Sequence, residues 1–202
     1  MQEVTLDELK TIIENSKDGL WEKAQSVNRE PHVYLHWSAC HYDQFFDDYH
    51  INISKDGKYF VSTTDLSEIL AHTWRRNTGA VGVALACGHG ATTNDLGDEP
   101  PTSEQIESMA VVIAWLCNII DIPCDKQHVM THGEAANNED GVYCHPTYAV
   151  WNDSIGDGDT RWDLEYLGTN ESPSYNPYAT DGSRGGDIER GKGNFYLNQI
   201  RG

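Results

Sequence analysis

Two histidines stand where a chain can present metal ligands. His36 lies in Tyr34-Leu35-His36-Trp37-Ser38-Ala39, which reads as a strand running into a polar turn. A histidine at the mouth of a strand can point into a cleft while its backbone is held rigid; the plain alternative is a hydrogen-bonded side chain at a sheet edge. His132 lies in Met130-Thr131-His132-Gly133-Glu134, after a strand-like stretch and before a glycine that lets the chain turn, with an ordinary loop histidine as the alternative. A catalytic zinc ion takes three protein ligands and keeps one position open. His36 and His132 supply two, and Asp163, Cys144, His145 and His50 are candidates for the third.

The segment Arg161-Trp162-Asp163-Leu164 favours Asp163. Apolar neighbours anchor the carboxylate by packing. Arg161 falls on the same side if the segment is extended, where its cation can stabilise an oxyanion. A surface Arg–Asp pair is the plain alternative. Cys144-His145-Pro146 lies closer to His132 and is the rival, since a soft thiolate suits zinc. Tyr49-His50 adds a tyrosine able to orient or deprotonate a zinc-activated water, one of the pair facing the site and the other the core. In His72-Thr73-Trp74-Arg75-Arg76-Asn77, aromatic, cationic and amide groups suit the wall of a sugar–peptide site, with His72, Trp74 and Asn77 as the contacts; a connecting loop is the alternative.

The elements that must position these residues are read from local signals. Thr5-Leu6-Asp7-Glu8 is a capping box opening a helix over Leu6 to Asn15, with a second short helix over Leu20 to Ser26. Pro31 stops helix, and His32 to Trp37 follows as a strand. Tyr49 to Ser54 and Lys58 to Ser62 form a hairpin around Asp56-Gly57. Asp65 to Ala71 reads as a short helix, Ala80 to Cys87 as a buried central strand, and Gly88 to Pro100 as a loop. A capping box at Thr102-Ser103-Glu104-Gln105 opens the best helix, ending near Ile120, and Val129-Met130 is a short strand end. After Gly133 only isolated order is expected before Trp162. Thr169 to Arg190 reads as loop or linker, and Asn194 to Ile200 as a last short element. The order implies one α/β (α+β) domain, a mixed sheet flanked by helices, over residues 1–168, with a polar tail over 169–202.

Composition narrows the function. The chain of 202 residues carries a formal charge of -18, which argues against nucleic acid and anionic membrane surfaces as partners. Five cysteines without a C-x-x-C pair make a disulfide framework unlikely, and reduced thiols in a cytosolic product fit better. Met1 to Lys10 lacks the basic and apolar regions of a signal peptide. No apolar run reaches membrane-spanning length, so membrane insertion is not expected.

Taken together, these segments resemble the zinc-dependent N-acetylmuramoyl-L-alanine amidases, the family shared by phage lysozyme-like amidases and peptidoglycan recognition proteins. The resemblance runs from His32 to Leu167. It rests on ordered pieces: the His36 strand; Tyr49-His50 followed by Lys55-Asp56-Gly57; His72 with Asn77; Val81-Gly82-Val83-Ala84-Leu85; Pro101-Thr102 with Gln105; and Thr131-His132. It implies His36 and His132 as zinc ligands and Tyr49 as the residue that positions or activates water. Members place a basic residue two positions before the third ligand. Arg161 before Asp163 repeats that spacing, whereas Val142 stands there before Cys144. Many members carry the third ligand soon after the second histidine; here Asp163 lies about thirty residues downstream, so an insertion must loop out. Some have a glutamate in the central strand where this chain has Ala84, which shifts weight to Tyr49.

The implied reaction is hydrolysis of the amide between N-acetylmuramic acid and L-alanine in peptidoglycan, with one zinc ion and with Arg161 stabilising the oxyanion. The expected setting is a phage or prophage lysin, made in the cytoplasm without a signal peptide and acting on the cell wall after release. A non-catalytic peptidoglycan-binding module and a muropeptide-recycling amidase are the alternatives on the same fold.

Overall fold

The computed structural model describes residues 1–137, 139 and 162–202. The chain runs β1 (Gln2–Val4), α1 (Leu6–Ser26), β2 (His32–Trp37), β3 (Ile51–Ile53), β4 (Tyr59–Val61), β5 (Ala80–Leu85), α2 (Ser103–Ile120), β6 (Val129–Thr131), α3 (His132–Ala136) and α4 (Gly185–Arg201). The strands form one mixed sheet in the order β1-β4-β3-β5-β2-β6. β1, β4 and β3 pair antiparallel, while β3, β5, β2 and β6 run parallel. The expected α/β class with a mixed sheet and flanking helices is what the chain adopts.

The central strands give the sheet two different faces. Val33, Leu35 and Trp37 of β2 and Val81, Val83 and Leu85 of β5 join the main core with α1 and α2. The other face carries His32, Tyr34 and His36, beside the small residues Ala80, Gly82 and Ala84 in register. Strand alternation sends successive side chains to opposite faces, so the pattern large–small on β5 builds a core on one side and leaves room on the other. α2 is apolar and long enough to cross a membrane by length and composition, but its buried residues, Met109, Ile113 and Leu116 among them, belong to this core.

Several local expectations are corrected. α1 is one helix rather than two. Gly19 sits inside it because a Cβ there would lie 2.7 Å from the Ser67 hydroxyl, and Ser16 accepts the Leu66 amide in the same contact. Residues 65–71 form turns, not a helix, since the Asp65 carboxylate accepts from the Ser67 amide and hydroxyl and closes the turn locally. β1 pairs with β4 at the sheet edge and is too short to show alternation.

His132 begins a short helix, not a glycine turn. Thr131 and Glu134 form a capping box, with the Glu134 amide donating to Thr131 and the Thr131 amide to Glu134. The Gly-rich segment read as loop up to Arg190 is helical from Gly185. α4 packs against α2, with Gly193 against Ile113 and with Leu197 buried. Cys40, Cys87, Cys117 and Cys124 are unbridged.

Candidate metal centre

The face bearing His36 gathers three ligand-type side chains. His36 is fully buried on β2, beside Ala84 in register, so no carboxylate occupies the central strand at that position. His132 is the first residue of α3, just past β6, which pairs with β2. Asp163 comes from the chain beyond residue 161, and Leu164 follows it at φ +58, a left-handed conformation that costs a non-glycine residue about 1–2 kcal/mol. The His36 and His132 Nδ1 atoms are 3.0 Å apart, and Asp163 Oδ2 lies 3.5 Å from the first and 3.8 Å from the second. All three residues are buried.

These separations fit a cation. Bonds of about 2.0–2.1 Å to a tetrahedral zinc place ligand atoms roughly 3.3 Å apart. The observed 3.0, 3.5 and 3.8 Å bracket that value. Two imidazoles and a carboxylate are also a donor set that zinc accepts. Among the described residues this is the one such group of three.

The surroundings orient His36. Its Nε2 lies 3.4 Å from the Thr73 hydroxyl, which is 3.0 Å from His72 Nδ1. If His36 offers its Nδ1 lone pair to a metal, Nε2 carries the proton and donates to Thr73, whose hydroxyl then donates to His72. The tautomer is thereby set by a second histidine through a threonine. The His72 ring can lie there because residue 82 is glycine: a Cβ on Gly82 would be 2.7–2.9 Å from the imidazole. Burial, then the neighbouring His36, His50 and His132, holds the His72 pKa well below the usual histidine value.

Each described residue singled out in the sequence has a place. Tyr49 is buried with its ring 4.9 Å from that of His36. His50 is not a ligand: its Nδ1 accepts from the Gly82 amide and its Nε2 donates to the Glu68 carbonyl, so both nitrogens are committed. Nor do Tyr49 and His50 divide between site and core, because the His50 ring is 5.5 Å from His72. His72 is buried against His36, not displayed on a wall. Asn77 uses its side-chain oxygen to accept the Thr73 amide at 2.7 Å, bracing the loop. Trp74 is exposed, with Arg75 over its ring. Cys144, His145 and Arg161 lie outside the described residues. The sequence reading passed over Thr73, Glu134, Arg184 and Arg190. Only Glu134 had a signal, the T-x-x-E spacing of a capping box.

Residues 16–147 match the family model described as N-acetylmuramoyl-L-alanine amidase. The chain belongs to this amidase family. The matched segment contains His36, Tyr49, His72 and His132, while Asp163 lies beyond it. No curated protein matches the chain. Among solved structures, wild-type Drosophila PGRP-LB is similar at 19% identity and a TM-score of 0.39, over 52% of this chain and 70% of that one.

Proposed function

We propose that the chain is a zinc-dependent amidase that hydrolyses the bond between N-acetylmuramic acid and L-alanine in peptidoglycan. The observation that carries this reading is the buried His36–His132–Asp163 cluster, with separations suited to zinc, in a chain of the amidase family. His36, His132 and Asp163 would hold the ion. Zinc in such a site supplies Lewis-acid polarisation of an amide carbonyl and acidification of water. Tyr49, whose ring lies 4.9 Å from that of His36, would orient water or substrate. Arg161 takes the role of oxyanion stabiliser on its spacing from Asp163 alone. Trp74, exposed on the loop that carries Thr73, offers an aromatic surface to sugar or peptide. An intact set of three ligand side chains favours catalysis over a binding-only module.

The test is zinc content by elemental analysis, together with release of L-alanine-linked peptide from purified peptidoglycan, for wild type, His132→Ala, Asp163→Ala and Cys144→Ser. Wild type is expected to hold one zinc and release peptide, with both lost in His132→Ala and Asp163→Ala and kept in Cys144→Ser. A wild type with neither zinc nor release sinks the reading. Metal loss in Cys144→Ser alone moves the third ligand to Cys144. Comparing intact wall with soluble muropeptide as substrate separates a lytic role from recycling.

A further inference from the structure

Two of the three ligand-type residues are weakly held by the sheet. His36 sits in the six-residue β2, paired on both sides. His132 follows a three-residue strand paired only with β2, and Asp163 sits in a turn. What else holds them is found on α4.

Each of these two residues lies two positions before a buried glutamate, and each glutamate is gripped by an arginine at the start of α4. After His132 comes Glu134, whose oxygens accept from Arg190 Nη1 at 2.7 Å and Nη2 at 2.9 Å. The same carboxylate caps α3 through the Thr131 amide, and Arg190 also donates to the Val129 carbonyl at the other end of β6. Burial opposes the Glu134 charge, but the Arg190 hydrogen bonds and charge outweigh it and keep its pKa below the usual glutamate value.

After Asp163 and the left-handed Leu164 comes Glu165, which accepts from Arg184 Nε at 3.0 Å and Nη2 at 2.8 Å. Arg184 also reaches Glu139. The helix backbone docks at the same place: the Gly185 amide donates to the Glu165 carbonyl at 3.1 Å. A Cβ on Gly185 would fall 1.8 Å from the Leu164 carbonyl oxygen, and one on Gly186 would lie 2.9 Å from Glu134 Oε2. All four charged side chains are nearly inaccessible.

Buried ion pairs add little net stability, because desolvation offsets their attraction, but two-pronged arginine–carboxylate pairs fix direction as well as distance. Resting on the zinc-amidase reading, we propose that Arg184 and Arg190 are positioning residues for the metal centre. From one helix turn and a half, α4 sets Asp163 through Glu165 and His132 through Glu134 at the separations from His36 that a shared zinc ion needs. The polar C-terminal segment is in this sense part of the active-site machinery.

The test measures zinc affinity by competition with a chromogenic chelator, and the visible spectrum of the cobalt(II)-substituted protein. The full-length variants are Arg184→Gln, Arg190→Gln, Arg184→Lys and Lys192→Ala, with folding checked by circular dichroism. Lys192 pairs with Glu107 of α2, away from the ligands, and so controls for loosening of α4 in general. Arg184→Lys keeps the charge without the fork and covers the case in which a glutamine variant fails to fold. We expect zinc affinity to fall about 10- to 100-fold in each folded arginine variant, with a changed cobalt spectrum, and to stay within about twofold in Lys192→Ala. Arginine variants that bind zinc like wild type, or a Lys192→Ala that loses as much affinity, overturn the inference while leaving the amidase reading intact. A wild type that binds no zinc overturns both.

Discussion

Replacing Gly185 by alanine places a methyl 1.8 Å from the Leu164 carbonyl oxygen and 2.9 Å from its carbon. Both are backbone atoms, so no side chain can swing aside. Ordinary contact requires α4 to retreat by roughly an ångström or more. That movement stretches the Gly185–Glu165 backbone hydrogen bond and the Arg184–Glu165 fork. Overpacking costs about 1–3 kcal/mol and a lost internal hydrogen bond about 1 kcal/mol. Weakening a buried charge pair adds to this, so a net loss of about 3 kcal/mol is expected. Gly191 lies in the same helix, exposed, with nothing within 4 Å of its Cβ position. There alanine gains about 0.5–1 kcal/mol from helix propensity and a less flexible unfolded chain. Urea denaturation followed by circular dichroism and tryptophan fluorescence reads both. If Gly185→Ala matches wild type within about 0.5 kcal/mol, the docking of α4 described above is wrong.

Two further outcomes follow from the geometry. Thr73→Val removes the acceptor for the His36 Nε2 proton and is expected to weaken zinc binding about 10- to 100-fold, while Thr73→Ser restores it; equal affinity of Val and Ser variants by chelator competition rules the relay out. Glu189 of α4 is fully buried with neither carboxylate oxygen hydrogen-bonded, and burial raises its pKa well above the usual glutamate value, with Lys192 opposing. Between the unfolded value and the raised folded one, the folded state binds a proton that the unfolded state has lost. Stability from this group is therefore full at acid pH and falls as pH rises, by about 1.4 kcal/mol per pH unit within that window. Glu189→Leu should gain on wild type in urea midpoints as pH rises above the usual glutamate range, and a pH-independent difference counts against it.

Much of the scaffold was legible because its signals are local. The capping boxes at Thr5 and Thr102, the Asp56-Gly57 hairpin and the continuous apolar β5 need only neighbouring residues to be read, and each lies where expected. The break expected in α1 vanished because Gly19 answers to Ser67, some fifty residues away in sequence. The His72-to-Asn77 stretch was chemically suggestive, but local pattern could not say that His72 turns inward over Gly82 while Trp74 stays outside.

The sequence by itself determined that the two histidines stand at strand ends and that His36 shares a face of β2 with Tyr34, because strand alternation fixes that within a few residues. Asp163 is favoured in sequence, and a short element is expected over Asn194 to Ile200; only the tertiary structure brought Asp163 beside both histidines, spent His50 on backbone hydrogen bonds, and extended the last helix back to Gly185. Glycine-rich Gly185 to Gly193 has poor helix propensity and no capping side chain, so nothing in its own residues calls for a helix. Burial against α2 supplies the stability that propensity does not, and two charge pairs to residues far away in the chain fix where the helix begins.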